Sequence, residues 1–583
     1  MRSKEAVVAR REVRFVLTFL MIAIVFLMAG VVAALFFVSR GPSVPSNATL
    51  VLRVPGGLTE IMPSGLLGHV FEAPPTLRSV VDSLRKAAVD DRVSRVVLVP
   101  SGGQALWAKV QEVRDAVLAF KQSGKPIVAY LEYGGEQQYY LATAADEIAL
   151  MPTSPLDLTG LARYELFLRG SLDKVGAYPD FLHVGDYKTA ANQYTEDSFT
   201  PAHREMSESL NADMFDQLVR GIADGRGRPE SEVRALIDEG PFLPEDALAA
   251  GLVDGLAYED QLLDPDENGE RRIEGGDYAG VSLQAVGLNQ GPKIAVIHAV
   301  GVINTGRSGY DTTQGEVVGS DTLVEYLREA REDESVRAIV LRIDSPGGSA
   351  IASDVIWREV EVTREEKPVI ASMSDVAASG GYYIAMPADA IVAQPGTLTG
   401  SIGVVAGKFA LGETYGKLGA NIESVSQGRY AEIASPVRPF SPDERAKLQQ
   451  QLDAVYDAFV AKAAEGRGTT RERIHAVAQG RVWTGQQGRQ VGLVDELGGL
   501  DRAIALAKQR ADIEQNDEVE LVNYPPPRGF FEMLSQPLGG VRERLVASLL
   551  SPTEQKVASV LAAPMQLFRP GEVLALMPYV FVP

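Results

Sequence analysis

The stretch YYLATAADEIALMP (139–152) returns as YYIAMPADAIVAQP (382–395), 243 residues further on (382 − 139). DKVGA (173–177) and GKLGA (416–420) keep that offset, as do GDYK (185–188) and GRYA (428–431). ADGRG (223–227) with AEGRG (464–468), and GLVD (251–254) with GLVD (492–495), stand 241 residues apart. Register held over so long a stretch marks a tandem duplication. The copies are expected to span 46–290 and 291–523, joined near LDPDENGERRIEGGD (263–277). Residues 1–45 precede them and a tail, 524–583, follows.

Each copy reads as α/β. KIAVIHAVGVI (293–303), VRAIVLRID (336–344), KPVIASM (367–373) and ADAIVAQP (388–395) are apolar, β-branched runs of the kind that form buried strands. SDTLVEYLREARED (320–333) has helical periodicity. Strands alternating with helices imply parallel pairing through crossover helices. FSPDERAKLQQQLDAVYDAFVAKAAEG (440–466) is expected to be helical, with SPDE as a capping box. The fold class is therefore α/β, a duplicated domain of parallel βαβ units, each followed by a helical part.

FVLTFLMIAIVFLMAGVVAALFFV (15–38) is uncharged and long enough to span a bilayer as a helix. Arg2, Lys4, Arg10, Arg11 and Arg14 precede it and only Arg40 follows closely, which places the N-terminus in the cytoplasm and the rest outside. Residues 1–45 then comprise a basic segment, an anchor in membrane lipid and a short linker, GPSVPSNA. The end of the tail, EVLALMPYVFVP (572–583), is apolar but short and interrupted by Pro578.

Composition narrows the chemistry. The 583 residues suit several domains, and a formal net charge of −21 argues against nucleic acid as a partner. There is no cysteine, which excludes disulfides, thiolate metal sites and cysteine nucleophiles. The five histidines show no metal-ligand spacing, so neither metal nor cofactor is expected.

The copies differ where chemistry is expected. Ser379, in AASGGYY (377–383), stands opposite Glu136 of the first copy; Ser401 stands opposite Leu158; and Lys188, in GDYK, stands opposite Ala431. One copy holds two hydroxyls, the other an amine: the parts of a Ser–Lys dyad with an orienting partner. Lysine acts as a base only when neutral, so the site must desolvate it. Asp186 would oppose that shift and is expected to face solvent. His183, with Ser426 as its counterpart, is not expected to act. In DSPGGSA (344–350) the glycines leave backbone N–H groups unobstructed. The N–H of Gly380, with that of Gly347 or Gly348, would form an oxyanion hole.

DSPGGSA, AASGGYYIA (377–385), GTLTGSIGV (396–404), YKTA (187–190) and GRVWTGQQGRQVGLVDELGG (480–499) together resemble the long, tandem-repeat bacterial signal peptide peptidases. These form part of peptidase family S49, serine proteases of the Clp/crotonase fold superfamily. The resemblance covers nearly everything from the anchor to about residue 523. It implies Ser379 as nucleophile, Lys188 as general base, Ser401 as an auxiliary hydroxyl on the lysine, and Gly348 and Gly380 as oxyanion donors. It further implies a homotetramer of the cell inner membrane, single-pass, with the catalytic part in the periplasm. Its substrates would be cleaved signal peptides and other short apolar peptides. A crotonase-type acyl-CoA enzyme and an inactive membrane scaffold are the alternatives. The anchor argues against the first, and retention of Ser379, Lys188 and Ser401 against the second.

Overall fold

The computed structural model describes residues 21, 42–62, 75–103, 106–263, 271–311, 314–526 and 572–578. Apart from Met21, the expected membrane span 15–38 lies outside them; among the described residues no helix is long and apolar enough to cross a membrane.

The first copy contributes β1 (Ala48–Val54), β2 (Val93–Pro100), β3 (Ile127–Leu131), β4 (Glu147–Leu150), β5 (Tyr178–Val184), β6 (Gly255–Leu256) and β7 (Arg271–Glu274). The second begins with β8 (Lys293–Val300), β9 (Val302–Asn304), β10 (Gly309–Asp311), β11 (Gly315–Gly319), β12 (Val336–Ser345), β13 (Gly347–Ser349) and β14 (Val369–Ala378). It continues with β15 (Ala390–Ala393), β16 (Leu398–Gly400), β17 (Val404–Ala410), β18 (Val482–Thr484), β19 (Glu496–Leu497) and β20 (Glu520–Tyr524). The tail adds β21 (Leu574–Leu576).

One sheet, β6-β4-β3-β2-β1-β7, is built from the first copy alone, and its pairings are parallel. Another, β18-β16-β14-β12-β8-β20, belongs to the second copy and is parallel except at β18. Apolar runs such as β2 and β12 suit strands covered by helices on both faces. The expected helices form at Ser320–Glu332 and Pro442–Gly466, the latter with the Ser441–Glu444 capping box in place.

The duplication extends to individual hydrogen bonds. Asp254 accepts from the Ile148 N–H at 2.8 Å, and Asp495 from the Ile391 N–H at 2.8 Å. Tyr139 Oη donates to the Leu252 carbonyl at 2.7 Å, and Tyr382 Oη to the Leu493 carbonyl at 3.1 Å. Arg226 pairs with Asp254 as Arg467 does with Asp495. The stretch 263–277, read as a linker, is more than that. It carries β7, which lies beside β1 as β20 lies beside β8, and a helix (Gly275–Ala279) that seats Tyr278 in the core.

A third sheet joins the copies: β10-β11-β9-β13-β21-β17-β5. In it β5 of the first copy runs antiparallel to β17 of the second, from Val184↔Val404 to Tyr178↔Ala410. This junction carries the Lys188 turn into the second copy.

Candidate active site

Ser379 follows the last residue of β14 and precedes a helix, Gly380–Ala385. Its backbone has φ +55° and ψ −111°, a region that side-chain-bearing residues rarely enter. Ser401, after β16, is held at φ +50°. β14 and β16 run parallel with Ala378 opposite Gly400, so the two serines leave adjacent strands side by side. The Ser379 N–H donates to the Gly400 carbonyl at 2.8 Å, and the Ser401 N–H to the Arg481 carbonyl at 2.7 Å.

The small residues of AASGGYY have a packing cause. A methyl group on Gly380 would lie 2.7 Å from Ser353 Oγ, and one on Gly381 2.6 Å from the Ser345 carbonyl oxygen. The tyrosines behind them are core residues: Tyr382 is bonded to Leu493, and Tyr383 Oη donates to Asp354 at 2.7 Å.

Lys188 lies in the turn after β5, not in a strand, and is 0% exposed. Its Nζ is 2.7 Å from Ser379 Oγ, 3.1 Å from Ser401 Oγ and 2.9 Å from the Ser401 carbonyl oxygen. The three residues read from the sequence therefore meet within one chain. Burial pushes the Lys188 amine well below its ordinary range. Asp186 is exposed, and so is His183, whose Nδ1 lies 3.0 Å from the Gly185 carbonyl oxygen.

The loop Gln479–Arg481 clasps this turn. The Tyr187 N–H donates to the Gln479 carbonyl at 2.8 Å. Gly480, at φ +77°, lies so close that a methyl group there would be 2.5 Å from the Lys188 backbone nitrogen. Arg481 pairs with Glu205 at 2.7 Å and stacks over Tyr187 and Trp483.

Gly347 (φ +102°) and Gly348 (φ +153°) sit directly beside Gly380: a methyl group on Gly380 would be 3.1 Å from the Gly348 nitrogen. The Gly347 N–H already donates to Ser345 Oγ at 3.2 Å. Gly348, rather than Gly347, thus has the N–H placed to pair with that of Gly380.

A buried ionic network behind the site was missed by the sequence reading. Arg342, 0% exposed in β12, donates to Glu60 Oε2 (3.0 Å) and Oε1 (2.8 Å), Glu112 Oε2 (2.9 Å) and Ser372 Oγ (3.0 Å). Lys109 Nζ donates to Asp344 at 2.7 Å, while the Lys109 N–H donates to Asp375 at 2.9 Å. Burial pushes the Glu60 carboxyl up, but the charge and hydrogen bonds of Arg342 outweigh it and hold it at about 2. Glu60, Lys109 and Glu112 belong to the first copy; Arg342, Asp344 and Asp375 belong to the second. The legible signal was Arg342 itself, a charge inside an apolar strand.

Known proteins are similar to this chain in sequence. The chain is 39% identical over 467 residues to "Serine protease SPPA, chloroplastic" of Arabidopsis thaliana, covering 78% of this chain and 69% of that one. It is 35% identical over 459 residues to "Protease 4" of Salmonella typhi, covering 76% and 73%. Among solved structures, ClpP1 from Listeria monocytogenes aligns at a TM-score of 0.23 and 16% identity, over 36% of this chain and 94% of that one, a likeness too slight to carry weight. The protein is a serine peptidase. It belongs to peptidase family S49, whose sequence model matches it twice, over residues 119–270 and 361–514, once in each copy.

Proposed function

We propose that Ser379 and Lys188 form the catalytic dyad of a membrane-anchored endopeptidase for short apolar peptides, cleaved signal peptides among them. The observation that carries this reading is a wholly buried amine 2.7 Å from a serine hydroxyl. A neutral amine has two N–H groups and one lone pair. The N–H groups donate to the Ser401 carbonyl and hydroxyl oxygens, which aims the lone pair at Ser379 Oγ–H. Lys188 takes that proton as Ser379 attacks, then gives it to the leaving amine. The Gly348 and Gly380 N–H groups receive the developing oxyanion.

The substrate reading is supported by the slot between β13 and β17, one strand wide and filled by β21. Phe181, Val302, Val405 and Phe409 line one of its faces, and Ala378 and Leu398 lie on the other. An extended apolar peptide would bind there by adding a strand. The basic-flanked apolar segment 15–38 supports an anchor with the peptidase copies on the periplasmic face of the inner membrane.

A homo-oligomer, a tetramer by resemblance, is supported by two unpaired edges. At the offset of 243, the first-copy counterpart of β17 is 161–167, and the second-copy counterpart of β5 is 421–427. Neither forms a strand, and Tyr164, Leu166, Ile422 and Val425 are exposed. Exposed apolar edges of this kind suit pairing with a neighbouring chain.

The test is hydrolysis of a synthetic apolar peptide and of an acidic peptide of equal length. Turnover of the apolar peptide by the wild type and none by Ser379→Ala supports the reading; equal turnover of both peptides refutes the substrate class.

A further inference from the structure

Arg481 touches both halves of the site. Its carbonyl accepts the Ser401 N–H at 2.7 Å, and the neighbouring Gly480 N–H donates to the Ile402 carbonyl at 2.8 Å. Its guanidinium reaches across to the first copy. Nη1 donates to Glu205 Oε1 at 2.7 Å, and Tyr187 Oη donates to Glu205 Oε2 at 2.9 Å. The guanidinium also lies 4.8 Å from the centre of the Tyr187 ring and 4.4 Å from that of Trp483. Tyr187 immediately precedes Lys188. The backbone of Arg481 is thus fixed to Ser401, and its side chain to the residue before the lysine.

The opposite places in the two copies hold no such pair. Phe242 bridges Leu156 as Trp483 pairs with Thr399, an offset of 241 (483 − 242) that sets Gly240 opposite Arg481. A methyl group on Gly240 would lie 1.9 Å from the Leu158 carbonyl oxygen, which leaves no room for a side chain. The helices capped by Thr200 and Ser441 keep the same offset and set Ala446 opposite Glu205. The arginine therefore occurs in the copy with Ser379 and Ser401, and the glutamate in the copy with Lys188. The pair is divided as the proposed dyad is.

We infer that Arg481 and Glu205 are positioning residues for the general base: their ion pair, formed across the copies, holds the Tyr187–Lys188 turn against Ser401 and keeps water from the amine. The inference rests on the Ser379–Lys188 reading above. Both acceptors that aim Lys188 Nζ belong to Ser401, so a turn that drifts from Ser401 loses its aim and its dryness together. The other titratable groups around the turn are Asp186 and His183 of the first copy and His475 of the second; all three are exposed, and Nζ bonds to Ser379 and Ser401 instead. Hydrogen bonds from Arg481 and Tyr187 hold the Glu205 carboxyl below its ordinary range, so the pair stays charged while Lys188 titrates. Loosening the pair admits water, which favours the ammonium and moves Lys188 back toward the ordinary lysine range.

The test is the pH profile of kcat and KM for an apolar peptide in the wild type, Glu205→Gln, Arg481→Met and the double variant. Arg481→Met keeps an apolar stem over Tyr187 and Trp483. Glu205→Gln changes a side chain that is 57% exposed, which spares the fold. Each single variant is expected to lower kcat at neutral pH roughly 10-fold with KM within about twofold, because the base is misplaced and the peptide site is not. The midpoint of the profile is expected to move to higher pH. The double variant is expected to fall little further, since one pair is removed in every case. Arg481→Lys, which keeps a cation toward Glu205, is expected to recover part of the loss. Midpoints that stay in place in both single variants, or a raised KM with kcat unchanged, overturn the inference and leave the dyad standing when Lys188→Ala is inactive. Activity retained in Lys188→Ala overturns the dyad reading and this inference with it.

Discussion

Glu136 and Ser379 stand at the same place in the two copies, each at the start of a short helix, yet they do different work. The Glu136 carboxylate accepts from the Thr159 N–H and Oγ1–H, both at 3.0 Å, and so ties two loops of its own copy together. Gln137 stands where the second copy has Gly380, and buried Leu158 where it has Ser401. Ser379 and Ser401 both have positive φ; neither Glu136 nor Leu158 does. At these paired positions the positive φ is found only in the copy that offers hydroxyls. The exchange runs the other way for β5. In the first copy that strand is paired and leads to buried Lys188, whereas its counterpart 421–427 is unpaired and leads to exposed Ala431. One scaffold is thus present twice, and the residues proposed to react are divided between the copies.

If the division is real, substitutions at equivalent places must have unequal effects. Ser379→Ala and Lys188→Ala are each expected to lower kcat/KM for an apolar peptide by roughly 10⁴-fold or more, and the double variant by little further, since both act in one proton transfer. Glu136→Ala and Ala431→Ser, at the opposite places, are expected to leave kcat/KM within about twofold. A large loss at Glu136 with the fold intact would break the comparison.

The copies are also expected to unfold together, because Arg342 of one neutralises carboxylates of the other. Arg342→Met leaves Glu60 and Glu112 buried without their cation. It is expected to destabilise the fold by about 3–5 kcal/mol, read from the urea midpoint. A change below about 1 kcal/mol would mean that the network does not lock the copies.

Ser401→Ala removes one acceptor from Lys188 but leaves the Ser401 carbonyl in place. The expected loss is about 10–100-fold in kcat, smaller than for either dyad member. A loss equal to that of Ser379→Ala would give Ser401 a larger role than orienting the lysine.

Lys188 also has a cost to the fold. Burial depresses its pKa, while unfolding restores the ordinary value of 10.5. Between those two values the unfolded chain holds a proton that the folded chain lacks, so this group makes stability rise with pH through that window. Below the depressed value the penalty is at its fullest. Lys188→Met is therefore expected to be inactive but to melt at a higher temperature than the wild type near neutral pH. In the wild type, activity is expected to rise with pH as Lys188 loses its proton and then level off, the midpoint lying below the ordinary lysine range. A lower melting temperature for Lys188→Met would contradict the desolvation argument.

Much of the fold was legible because it is local. Apolar runs marked β8, β12 and β14, the SPDE box marked its helix, and the repeat marked two copies. Ser379, Lys188 and Ser401 were legible as a group because each is missing from the other copy. What was not legible depends on distant pairing. The positive φ of Ser379 and Ser401 occurs where β14 and β16 end side by side, a pairing set by the tertiary fold. Arg342 and Glu60 become meaningful only when the copies dock. EVLALMP looks like an apolar remnant until β13 and β17 bracket it, and the stretch at 263–277 looked like a linker because β7 is a short, charged edge strand.

The most direct measurement is stoichiometric labelling of the intact chain with a serine-directed acylating probe, the modified residue being located by peptide mapping. The expected result is one label per chain, at Ser379, with labelling at neutral pH lost in Lys188→Ala. Two labels per chain, a label in the first copy, or undiminished labelling of Ser379 in Lys188→Ala would contradict a single site divided between the copies.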